Sequence, residues 1–115
     1  MYQFTYAEVV EDSPQEMRAR ERDALDRAVD LLQRAHETGL RSAEATDALS
    51  YTRRLWTIFL DDLASNGNDL PEALRAQLIS IGIWVFKETE RLRVGAADSF
   101  GDLIEINTII RDGLM

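Results

Sequence analysis

Four times along this chain, a stretch with apolar side chains at every third or fourth position runs on until it meets a glycine: Gly39, Gly67, Gly95 and Gly113. That spacing gathers the apolar groups on one side of an α-helix. A glycine just past the last turn takes the left-handed backbone that closes a helix. The two prolines, Pro14 and Pro71, stand near the starts of such stretches, where a helix has no use for the missing N–H. Ser65-Asn66-Gly67-Asn68-Asp69 reads as a turn, but the runs beside it repeat at helical rather than strand spacing. The pattern predicts an all-α fold: one small, four-helix bundle-like domain of 115 residues. Its helices are expected over about 14–38, 42–64, 71–93 and 99–111, after an N-terminal arm or short helix over 1–12.

The first helix opens on Ser13 with Glu16 three residues later, a capping box in which each side chain satisfies an exposed backbone N–H. Met17, Ala24, Leu25, Ala28, Leu32 and Ala35 form its apolar side, and Arg20, Asp23, Arg27, Asp30 and Arg34 a solvated charged surface. The second helix, capped by Ser42, carries Ala45, Ala48, Leu49, Thr52, Leu55, Trp56, Phe59, Leu60 and Leu63 as a broad stripe. Trp56 and Phe59 read as core aromatics, and Arg53, Arg54, Asp61 and Asp62 as the polar side.

The third helix differs in kind. Leu78-Ile79-Ser80-Ile81-Gly82-Ile83-Trp84-Val85-Phe86 is apolar around nearly the whole circumference, so this helix is either central to the fold or shared with a partner. Gly82 costs about 1 kcal/mol against alanine in a helix interior, which close approach of another backbone would offset. The fourth helix, capped by Asp98 or Ser99, carries Phe100, Leu103, Ile104, Ile106, Ile109, Ile110 and Leu114, too many for one narrow stripe. This supply of apolar surface points to an exposed groove or patch that receives another protein, against the plainer reading that four helices bury it among themselves. The expected contact surface is the outward part of the third helix, Ile79, Ile83 and Phe86, with Ile106 and Ile109 beside it. Trp84 belongs either to that surface or to the core, and Arg54 and Arg91 are candidate rim contacts. Ahead of the helices, Tyr2, Phe4, Tyr6, Val9 and Val10 suit an arm that packs in cis or is donated to a partner.

Chemistry is sparse. No cysteine is present, and the lone histidine, His36, reads as structural, so thiolate and His-rich metal sites are not expected. No nucleophile elbow, phosphate loop or dinucleotide fingerprint occurs, and Asp61 and Asp62 are neighbours whose side chains diverge on a helix. Neither an enzyme nor a cofactor is expected. Thirteen basic against twenty-one acidic residues leave a net charge of −8, which opposes phosphate-backbone binding. The arginine clusters are diluted by carboxylates, leaving only a local patch of Arg75, Arg91 and Arg93 open for RNA. The start has no secretory pattern, and Leu78 to Phe86 is far short of the roughly 20 residues of a membrane span. A soluble cytoplasmic protein is the plain expectation.

The residues also carry a likeness. Met1-Tyr2-Gln3-Phe4-Thr5-Tyr6-Ala7-Glu8-Val9-Val10-Glu11-Asp12, Arg53-Arg54-Leu55-Trp56, Leu78-Ile79-Ser80-Ile81-Gly82-Ile83-Trp84, Leu103-Ile104-Glu105-Ile106-Asn107 and Ile109-Ile110-Arg111-Asp112-Gly113-Leu114 closely resemble the FlaF family of flagellar biosynthesis regulators. The resemblance spans essentially the whole chain. It implies a cytoplasmic protein of flagellated alphaproteobacteria that promotes flagellin production and filament assembly. It further implies action after transcription, in balance with the translational repressor FlbT, and association with flagellin itself. It implies no enzymatic activity or cofactor, and it transfers no binding residues. Two other classes stay open beside a flagellin-binding adaptor: an RNA-directed regulator of flagellin message, acting directly or through FlbT, and a self-associating structural module.

Overall fold

The computed structural model describes residues 14–113, with side chains from residue 18 on. Among these residues the chain forms four helices and no strand: α1 (Pro14–Thr38), α2 (Ala43–Ala64), α3 (Glu72–Arg93) and α4 (Gly101–Gly113). The expected all-α fold is present. The Ser13–Glu16 capping box, the side chain of Met17, the opening residues through Val10 and Leu114 lie outside the described residues.

Local chemistry sets most of the boundaries. Gly39 adopts φ +109° and donates its N–H to the Ala35 carbonyl at 2.8 Å, closing α1. Ser42 Oγ accepts the Ala45 N–H at 3.0 Å, which opens α2 as expected. Gly95, at φ +80°, ends α3. Gly67 and Gly113 do not share this role. The α2 terminus is closed by Ser65 in extended backbone, whose hydroxyl donates to the Asp62 carbonyl at 2.8 Å, and Gly113 is the last helical residue of α4. α4 lies two residues later than expected, because Ser99 Oγ accepts the Gly101 N–H at 3.0 Å and so caps the helix from two places upstream.

α2 packs against both α1 and α3, while α4 packs on α1 and touches α3 only lightly. The helices therefore surround the core in the order α3, α2, α1, α4, and the seam between the first and last is the loosest. Leu32, Leu49, Trp56, Val85, Leu92, Phe100 and Leu103 fill the main core, with Leu25, Ala28 and Leu55 beside it. Each large side chain so buried contributes about 1.5–3 kcal/mol. Trp56 is 1% exposed, a core aromatic as expected, while Phe59, which it meets edge to face at 5.4 Å, is half-buried and packs against the core from its margin. The close approach at Gly82 involves a side chain rather than a backbone: a Cβ there would lie 2.7 Å from Leu60 Cδ2.

Candidate functional site

Because α3 is apolar on almost every side, its packing against α2 cannot hide all of it. Gly82, Val85 and Leu92 turn inward and are buried, which leaves Ile81 and Trp84 on the flank toward α4. On α4, Leu103 and Asn107 turn inward and leave Ile106 and Ile109 on the flank toward α3. Ile81, Trp84, Ile106 and Ile109 together line a groove of about 270 Å³, with the carboxylates of Asp102 and Glu105 on its α4 margin. Trp84 remains 38% exposed and Ile109 58%. The volume is below the roughly 300 Å³ at which small-molecule pockets begin, so the groove suits inserted side chains of another chain better than a ligand.

The structure divides the expected contact surface. Trp84, Ile106 and Ile109 meet in the groove, which settles Trp84 as a surface residue. Ile79, Ile83 and Phe86 do not line it. Successive helical residues turn by about 100°, so this stripe faces away from the flank that carries Ile81 and Trp84. Phe86 is half-buried, and the Arg53 guanidinium lies over its ring at 5.5 Å. Arg53 also donates to the Phe86 carbonyl at 3.3 Å and to Thr89 Oγ1 at 3.0 Å, so this arginine bridges α2 and α3. Ile79 is half-buried, and Ile83 is 47% exposed.

Neither arginine expected at the rim lines the groove. Arg54 is exposed on α2. Arg91 pairs with Glu88 at 2.7 Å and donates to the Ala96 carbonyl at 3.3 Å, steadying the turn after α3. Carboxylates form the margin instead. Their signal was in the spacing, since Asp102, Glu105, Ile106 and Ile109 recur at three- and four-residue steps. The basic patch left open for RNA does not assemble. Arg93 is held by Glu90, whose carboxyl this hydrogen bond keeps below the ordinary carboxylate range, and Arg75 lies sixteen residues before Arg91, about 24 Å along the helix.

A second cleft, about 490 Å³ and polar, opens between α1 and α4 beside Asp23, Asp26, Arg27, Asp30 and Arg111. Arg111 spans it, pairing with Asp26 at 2.8 Å and Asp112 at 3.1 Å. These contacts make it a latch between two helices. His36 is exposed in the last turn of α1.

An all-α bundle whose loosest seam stays open as an apolar groove with an acidic margin is the class of molecule that this fold and site define. The family described as flagellar protein FlaF matches residues 2–114, nearly the whole chain, and the chain belongs to that family. No curated protein and no solved structure matches it. Among the described residues no helix is long and apolar enough to cross a membrane.

Proposed function

We propose that this flagellar protein promotes flagellin synthesis and filament assembly after transcription by binding flagellin, as a chaperone-like adaptor in the cytoplasm. The observation that carries the reading is Trp84 standing exposed across an apolar groove from Ile109. Flagellin assembles through apolar faces of its terminal helices, and an unassembled subunit needs those faces covered. An amphipathic helix laid in a groove anchors itself by a few apolar side chains, and an exposed tryptophan at such a site supplies a large share of the affinity. Asp102 and Glu105 favour a helix with Lys or Arg flanking its apolar positions. The link to FlbT is then functional, through the pool of free flagellin.

Purified chain titrated with flagellin tests the reading, using flagellin with and without its terminal helices. Micromolar binding is expected, lost with those helices and weakened about tenfold or more by Trp84→Ala. Absence of binding at micromolar concentrations would remove the proposal. A gel shift of flagellin message that fades steeply with salt would replace it with an RNA-directed regulator. A dimer that persists on dilution and buries Trp84 would replace it with a self-associating module.

A further inference from the structure

Every seam of the bundle but one is crossed by an arginine of this chain. Between α1 and α2, the Arg27 guanidinium lies over the Tyr51 ring, 5.8 Å from its centroid. Between α2 and α3, Arg53 lies over the Phe86 ring at 5.5 Å and donates to Thr89 Oγ1 at 3.0 Å. Between α4 and α1, Arg111 pairs with Asp26 at 2.8 Å. In each case a planar, permanently charged fork reaches from one helix to a ring or a carboxylate on the next. Its face attracts π electrons and its edge donates hydrogen bonds.

The seam between α3 and α4 presents the same two kinds of acceptor without the cation. Trp84 shows its indole on the α3 wall of the groove, and tryptophan is the aromatic to which a cation binds best. Glu105 stands on the α4 wall, with Asp102 one turn nearer the start of that helix. Among the described residues neither carboxylate has an ion pair. No cation there reaches across either: Arg91 and Arg93 pair with Glu88 and Glu90 on α3 itself, Arg111 turns to α1, and Arg75 and Lys87 make no ion pair. Asp102 lies in the first turn of α4, where a carboxylate offsets the exposed N–H groups of its own helix. Glu105 lies beyond that turn, across the groove from an uncovered indole.

We propose that the partner supplies the missing arginine: a guanidinium laid on the Trp84 indole and bridged to Glu105, carried by the helix that the groove accepts. This rests on the reading that the groove takes an amphipathic helix, and it adds what that helix must carry. Lysine is the poorer fit, because its ammonium is a compact, strongly hydrated point charge. A guanidinium gives its face to the indole and its edge to the carboxylate at once. The register follows from α4. Glu105 and Ile109 are four residues apart, one turn along the helix, with about 6 Å between their Cβ atoms. A helix lying along α4 therefore meets both when its arginine and an apolar side chain are three or four positions apart, the apolar one seated against Ile106 and Ile109. The net charge of −8 draws a cationic helix in from a distance, and Glu105 selects where along it the contact is made.

Two probes, titrated into the full chain at low salt, test this separately from the flagellin reading. The first is a stapled alanine-based helix with two leucines one turn apart and, one turn before or after them, Arg, Lys, Gln or Glu. Binding is followed through the Trp84 indole N–H and the Ile109 amide by nuclear magnetic resonance. In one of the two series, Arg is expected to bind at least about threefold tighter than Lys and about tenfold tighter than Gln, with Glu weakest. Glu105→Gln is expected to bring Arg within about twofold of Gln, and Trp84→Leu to bring it within about twofold of Lys, in proteins that still melt cooperatively. The second probe is flagellin, whose binding is expected to fall at least about tenfold with Glu105→Arg. Stapled helices that bind alike with Arg, Lys and Gln, or fail to bind at millimolar concentration, would overturn the proposal, as would an Arg preference that Glu105→Gln leaves intact. Flagellin binding that needs Trp84 yet tolerates Glu105→Arg would overturn it and leave the flagellin reading standing. The Arg preference in the stapled helices, with no binding of flagellin, would uphold it and remove the flagellin reading alone.

Discussion

Trp56 Nε1 donates a hydrogen bond to Asn107 Oδ1 at 2.8 Å, joining α2 to α4 through the middle of the core. Asn107 in turn donates Nδ2 to the Leu103 carbonyl at 2.8 Å and is fully buried. An indole N–H is a donor only, so once Trp56 is buried some acceptor must enter the core with it. The choice of Asn107 fixes the rotation of α4 about its own axis, with Leu103 inward and Ile106 and Ile109 at the seam. A core polar pair thereby aims the groove.

Asn107→Leu removes the acceptor and leaves the indole N–H unpaired, and the expected loss is about 1–3 kcal/mol of stability. Urea melts of the two proteins measure it. A loss under about 0.5 kcal/mol, within the range of ordinary surface changes, would mean the hydrogen bond does not hold α4 in place.

Gly82 offers a second test of how α3 is seated. Alanine gains about 1 kcal/mol of helix propensity over glycine. At position 82, however, its Cβ would stand 2.7 Å from Leu60 Cδ2 and 3.0 Å from Cγ, so α3 must move off α2 or Leu60 must move. Gly82→Ala is expected to destabilise by about 1–3 kcal/mol, the cost of overpacking. In a double-mutant cycle with Leu60→Ala, the penalty should shrink by about 1 kcal/mol or more. Additive effects of the two changes would show that the contact with Leu60 is not what requires glycine.

The helices were legible because their determinants are local. Ser42 caps and Gly39 and Gly95 close within four residues of the backbone they serve. Where a boundary differs from the expected one the cause is equally local: Ser65 ends α2 with its own hydroxyl, two residues before Gly67 is reached. The groove was legible only as a surplus of apolar residues. Which flank of α3 stays open depends on Leu60 reaching Gly82, and which flank of α4 faces it depends on Trp56 reaching Asn107, contacts 22 and 51 residues apart in sequence. Neither pairing has a signature at helical spacing, so the sequence alone does not separate Ile79, Ile83 and Phe86 from the residues of the groove.

Glu21 makes stability fall as pH rises. Burial first and Asp62 second raise its pKa in the folded protein above the ordinary 4.5. Between that ordinary value and the raised one, the folded state binds more proton than the unfolded state, so stability is lost as pH increases through the window. Glu21→Gln removes the ionisation and should stabilise the protein at pH 7, with the advantage over wild type disappearing below about pH 4. Denaturant melts of both proteins at the two pH values decide it. An equal difference at pH 4 and pH 7 would assign the effect to something other than the proton.

The last expectation separates the groove from the rest of the apolar surface. Ile83, Trp84 and Val85 are consecutive, and helical rotation sends them to three destinations: solvent outside the groove, the groove wall and the core. An aspartate at each position asks a different question. Val85→Asp places an unpaired carboxylate in a fully buried site and should abolish the cooperative thermal transition. Ile83→Asp should still fold, at a cost of about 1 kcal/mol, since about half of its side chain is already in water. Trp84→Asp should also fold, with a modest loss of packing. Only Trp84→Asp is then expected to lose flagellin binding, read by titration beside circular dichroism melts. Equal loss of binding with Ile83→Asp, in protein that still melts cooperatively, would move the docking surface to the far side of α3.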